Sequence, residues 1–80
     1  MKIQLLFFGM AKDLSGRSNM SIELEKDSNV TMFREFLIER FPSFSAMDSF
    51  AIAVNESYAE EELLLSEGDI IAIIPPVSGG

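Results

Sequence analysis

Residues 30–41 hold their apolar side chains at helical spacing, and that stretch constrains the fold more than any other. Val30, Phe33, Leu37 and Phe41 share one face, with Phe36 beside them and Arg34, Glu35 and Glu39 elsewhere on the wheel. The period predicts an amphipathic helix. Asn29 is suited to its N-cap, because its side-chain oxygen can accept a hydrogen bond from an orphan amide two or three residues on. Pro42 stops it by restricting Phe41. In a chain of 80 residues there is room for one domain and a modest core, so the remaining sequence must cover that apolar face.

The remaining sequence reads mostly as strand. Ile3, Leu5 and Phe7 alternate with Lys2, Gln4, Leu6 and Phe8, which predicts a strand whose odd positions face the core. Residues 9–19 are polar and include Gly16, so they are expected to form a turn or loop. Ile22 and Leu24 alternate with Ser21, Glu23 and Glu25, giving a second, edge strand antiparallel to the first. After an irregular segment at 42–49, residues 50–54 read as a strand, Asn55-Glu56 as a turn and the surroundings of Tyr58 as a short strand. Residues 60–65 are ambiguous, one helical turn being one reading. A turn at 66–69 leads into the β-branched run 70–74, which Pro75-Pro76 ends because neither can donate to a ladder. The expected fold is α+β, a mixed sheet of about five strands with one main helix packed on one face. Residues 1–76 form the domain and 77–80 a flexible tail.

Composition removes most chemistries. There is no cysteine and no histidine, which excludes disulfides, thiolate nucleophiles and the usual general base and metal ligand. No phosphate loop, paired-carboxylate site or metal-ligand cluster is visible, so catalysis by the chain alone is not expected, nor is a bound cofactor. The N-terminal apolar run resembles a signal segment, but residues 9–12 interrupt it too soon, and a cytoplasmic protein is expected. Six basic against thirteen acidic residues give a net charge of −7, which repels nucleic acid and anionic membranes and suits a basic docking partner. Acidity that merely keeps the chain soluble is the competing reading.

The last six residues, Pro75-Pro76-Val77-Ser78-Gly79-Gly80, carry the most chemical information. Two terminal glycines lack side chains and can thread a channel too narrow for other residues, presenting the Gly80 carboxylate inside another protein. Beyond Pro76 an extended tail reaches at most roughly 3.5 Å per residue. A carboxylate is a poor acyl donor until activated, so this design needs an activating enzyme and ATP, and makes the tail a substrate.

A second feature is apolar side chains on the face that ought to be wet. If Ile3, Leu5 and Phe7 face the helix, Leu6 and Phe8 point the other way. If Ile71 and Ile73 do likewise, Ile70, Ala72 and Ile74 join them. Such a patch marks an interface unless loops such as 42–49 cover it. The run Glu60-Glu61-Glu62 reads as a solvated face or as a docking patch, and Lys12 and Arg17 as partner contacts or hydrated cations.

At Leu6-Phe7-Phe8-Gly9-x-Ala11-Lys12-x-Leu14, at Ala53-Val54-Asn55, at Glu67-Gly68-Asp69 and above all at Ile73-Ile74-Pro75-Pro76-Val77-Ser78-Gly79-Gly80, the chain resembles the small subunits of molybdopterin synthase. These are sulfur carriers of the ubiquitin-like β-grasp superfamily. The resemblance implies that the first and last strands lie side by side at the sheet centre. It implies that a ubiquitin-activating-type adenylyltransferase consumes ATP to adenylate Gly80, that sulfur then gives a thiocarboxylate, and that Gly79 helps thread the tail into the large synthase subunit. There it donates sulfur to cyclic pyranopterin monophosphate to build the dithiolene of molybdopterin, within a heterotetramer. Phe8, Tyr58 and Ile74 fall at apolar partner contacts and Lys12 at a basic one, and Pro75, Pro76, Val77 and Ser78 are expected to bind the partner as well. A thiamine- or tungsten-pathway carrier, a ubiquitin-like modifier and a non-covalent adaptor remain as alternatives. Met32 and Ile38 stand outside the helix's apolar face, packed under the irregular segment or simply exposed.

Overall fold

A computed structural model of the chain describes residues 1–47 and 49–76. Its elements are β1 (Lys2–Phe7), α1 (Gly9–Ser15), β2 (Asn19–Glu23), α2 (Val30–Arg40), a 3-10 turn (Pro42–Ala46), β3 (Ala51–Val54), β4 (Ser57–Tyr58) and β5 (Ile70–Ile74). The sheet order is β2-β1-β5-β3-β4. β1 and β5 pair in parallel at the centre, Leu5 opposite Ile71 and Phe7 opposite Ile73, and every other pairing is antiparallel. This is the β-grasp arrangement, with β2 at one edge.

The alternation in β1 sets the faces. Ile3, Leu5 and Phe7 are buried beneath α2, as are Ile71 and Ile73 of β5 and Ile52 and Val54 of β3. From α2 come Val30, Phe33 and Leu37, all fully buried, each worth about 1.5–3 kcal/mol of burial. Asn29 caps the helix as its chemistry predicts, Oδ1 accepting from the Met32 amide at 2.9 Å. Phe41 ends it with a non-helical φ of −128°, and Pro42 opens the 3-10 turn.

The structure corrects the reading of residues 9–19 as loop. Gly9–Ser15 is a helix of two turns, closed by Gly16 at φ +75°, whose N–H donates to the Lys12 carbonyl. It buries only Ala11, and seven residues with one buried position leave no period to detect. The irregular segment at 42–49 also contributes more than expected. Phe44 is fully buried, stacked on Phe41 with centroids 5.2 Å apart and meeting Phe7 and Phe50 edge-on. Met47 and Leu65 complete the core. Residues 60–65 form a turn, not a helix, with Leu64 bridging Asn29 and the Leu65 amide donating to the Ser28 carbonyl. Ile38 packs against the core, whereas Met32 is exposed.

Candidate functional site

The sheet face away from α2 is built by the even positions of β1 and β5. Register places Leu6 opposite Ala72, Ala72 opposite Ala53 and Ala53 opposite Tyr58, a row running from β1 to the β4 edge. Gln4 stands opposite Ile70, and Ala51 opposite Ile74. Small residues in the middle of this face and large ones around it leave a groove of about 460 Å³ lined by Leu6, Phe8, Asn55, Glu56, Ile70 and Ala72. Phe8 and Ile70 are 50% and 46% exposed, which for such large apolar side chains leaves considerable surface without cover. The 3-10 turn lies on the opposite side with the core, so among the described residues it does not shield this face.

Phe8 reaches the groove because β1 ends there. It is the extended N-cap of α1, at φ −124° and ψ 153°, and its carbonyl accepts from the amides of Ala11 and Lys12. Gly9 makes the corner with a φ of +49°, in the left-handed region where glycine carries no steric penalty. Ile74 and Pro75 are half-buried at the same end of the sheet, and Pro76 is exposed. Tyr58 is 75% exposed on the same sheet face but lines a neighbouring groove with Ala59, Glu60, Glu62 and Leu63. Lys12 is exposed on α1 and makes no ion pair among the described residues. Val77, Ser78, Gly79 and Gly80, expected to form the tail, lie outside the described residues.

The rim opposite Phe8 is held by a polar clamp that sequence reasoning saw only as two turns. Asn55 and Glu56 have φ of +50° and +73°. The Asn55 side chain donates to Asp69 Oδ1 and accepts from the Ile70 amide, both at 2.9 Å, so the β3–β4 turn is tied to the start of β5. Asp69 Oδ2 accepts from the Ser66 amide, and Gly68, at φ +83°, donates to the Lys2 carbonyl. The signal was present as the Asn55 and Glu67-Gly68-Asp69 motifs, but only the fold shows that they meet.

The acidic run divides in use. Glu61 is bound by Arg34, with Nη2 to Oε2 at 2.9 Å and Nε to Oε1 at 3.3 Å, while Arg34 Nη1 also donates to the Phe50 carbonyl. These hydrogen bonds, against a smaller opposing effect of desolvation and with help from the Arg34 charge, hold the Glu61 carboxyl below its ordinary value. Glu60 and Glu62 stay exposed beside Tyr58. Among the described residues there is no cluster of acidic side chains fit to hold a metal ion, and no helix is long and apolar enough to cross a membrane.

A parallel-centred β-grasp sheet with one helix-covered face and one uncovered apolar face is the fold of ubiquitin-like domains. The ThiS family model matches residues 5–80. The chain is 33% identical to the molybdopterin synthase sulfur carrier subunit of Drosophila melanogaster, over 98% of this chain and 90% of that one. With the protein of the same name from Arabidopsis thaliana it shares 31% identity, over 99% and 83%. The chain belongs to the ThiS family and to the family of molybdopterin synthase sulfur carrier subunits. Among solved structures, a complex of subunits 1 and 2 of the molybdopterin-converting factor from Helicobacter pylori matches with a TM-score of 0.72 and 28% identity, covering all of both chains. SAMP1 from Haloferax volcanii shares the fold at a TM-score of 0.87 and 21% identity, again over the whole of both chains.

Proposed function

We infer that this chain is the sulfur carrier of molybdenum cofactor biosynthesis, working in the cytoplasm as the small subunit of molybdopterin synthase. The observation that carries the reading is a family match that continues through Gly80, together with full-length similarity to curated sulfur carrier subunits. In this account a ubiquitin-activating-type enzyme joins the Gly80 carboxylate to AMP at the expense of ATP, and a sulfur donor then displaces AMP to leave a thiocarboxylate. The domain, residues 1–76, docks on the large subunit while residues 77–80 carry the sulfur to cyclic pyranopterin monophosphate. The H. pylori complex of the two subunits supports a large-subunit partner, and a heterotetramer extends that pairing.

The groove beside Phe8 supports docking through the sheet face, with Ile74 and Tyr58 as further apolar contacts and Lys12 as a basic one. Covering an exposed side chain such as Phe8 contributes about 1.5–3 kcal/mol before association costs. Reconstitution tests the reading. The thiocarboxylated chain mixed with a large subunit and cyclic pyranopterin monophosphate should yield molybdopterin, and a chain lacking Gly80 should yield none. Undiminished product from the truncated chain would contradict it.

A further inference from the structure

The β3–β4 hairpin turns on two residues, Asn55 and Glu56, enclosed by the Val54–Ser57 pair. Both stand in the left-handed region, at φ +50° and +73°. A two-residue turn with positive φ at both central positions favours asparagine followed by glycine, because glycine has no β-carbon to strain at the second. Asn55 is accounted for by its hydrogen bonds to Asp69 and to the Ile70 amide. Glu56 is not. It is exposed, and among the described residues its carboxylate makes neither a hydrogen bond nor an ion pair. What Glu56 does have is a place on the groove beside Phe8. The groove is otherwise lined by the apolar Leu6, Phe8, Ile70 and Ala72 and by Asn55, whose amide is already bonded, so Glu56 is the one charged residue among those that line it.

We propose that Glu56 is a specificity-determining contact of the docking face, which pairs with a lysine or arginine of the large subunit. The proposal rests on the docking reading above. An apolar surface closing over the groove would strip water from this carboxylate, and a desolvated charge without a counter-ion opposes association. A partner that brings a cation to the same rim avoids that loss and gains an ion pair, so one residue favours one class of surface and excludes the other. The net charge of −7 adds longer-range attraction for a cationic face. Glycine at this position would relax the turn and forfeit the selection. Strain kept beside a binding groove, with no bond inside the domain to justify it, marks a side chain held for contact and not for folding.

The test is calorimetric titration of the full chain with the large subunit from the same host, beside thermal unfolding of each variant. Glu56→Gln keeps the strained turn and removes only the charge, so Kd should rise about tenfold while Tm stays within about 2 °C. Glu56→Gly should move the two properties in opposite directions, raising Tm by about 4 °C and weakening binding about tenfold. Glu56→Lys should weaken binding about a hundredfold. Undiminished binding by Glu56→Gln or Glu56→Lys, or a Glu56→Gly chain with a lowered Tm, would overturn the assignment. Phe8→Asp separates that failure from failure of the docking reading. Weakened binding by Phe8→Asp with Glu56→Gln unaffected sinks the role of Glu56 alone. A Phe8→Asp chain that binds as wild type does, or a wild-type chain that does not bind, removes the docking face and Glu56 with it.

Discussion

Asn55 Nδ2 donates to Asp69 Oδ1 at 2.9 Å while its own Oδ1 accepts from the Ile70 amide, so one side chain locks the β3–β4 turn to the first residue of the central strand β5. Asn55→Ala removes both bonds and leaves alanine at φ +50°, without the local side-chain hydrogen bonding that lets asparagine tolerate that region. The bonds are exposed, so a loss of about 1–2 kcal/mol is expected in urea unfolding. Asn55→Gly should lose less than Asn55→Ala, because glycine accepts that φ.

Phe8 is half exposed on the groove and takes no place in the core. Phe8→Asp should leave Tm within a few degrees of wild type and weaken binding to the large subunit at least tenfold in calorimetry. A Phe8→Asp chain that unfolds would show that the sheet faces are assigned the wrong way round.

Phe33 marks the opposite case, fully buried under the sheet. Phe33→Ala should cost about 3–5 kcal/mol, a large part of the stability of so small a domain. Circular dichroism should show a marked fall in Tm, in contrast to Phe8→Asp.

The Arg34–Glu61 pair predicts a pH dependence with a definite sign. Folding lowers the Glu61 pKa from its ordinary 4.5, chiefly through the hydrogen bond from Arg34, so the unfolded chain binds the proton more tightly. The stabilisation is fully present above 4.5 and is lost as pH falls through the folded value. Tm of Glu61→Gln should therefore lie below wild type near neutrality and converge with it in acid. A difference that grows as pH falls would reverse the assignment. The exposure of the pair keeps the effect small.

The elements with a sustained period were legible in the sequence. Alternation at Ile3, Leu5 and Phe7 assigned the sheet faces, and helical spacing from Val30 with an Asn29 cap located α2 nearly to the residue. α1 was not legible, because seven residues that bury only Ala11 carry no period. Nor did local pattern encode the pairing of β1 with β5, whose partners lie far apart in the chain. Resemblance supplied it. Phe44 and Met47 entered the core from the 3-10 turn and its end, and Leu65 from an irregular segment, where neither the strand nor the α-helix period applies. Of the candidate site, Phe8 and Ile74 followed from strand parity. Tyr58 rested on resemblance, and the clamp between Asn55 and Asp69 required the folded chain to bring two turns together.

The central claim, that Gly80 carries sulfur, is tested most directly by intact-mass spectrometry of the chain isolated from its native host together with its activating enzyme. The account predicts a species in which one terminal oxygen is replaced by sulfur, absent from a chain lacking Gly80. Finding the terminus unmodified, or activated only as branched conjugates to lysine, would contradict it.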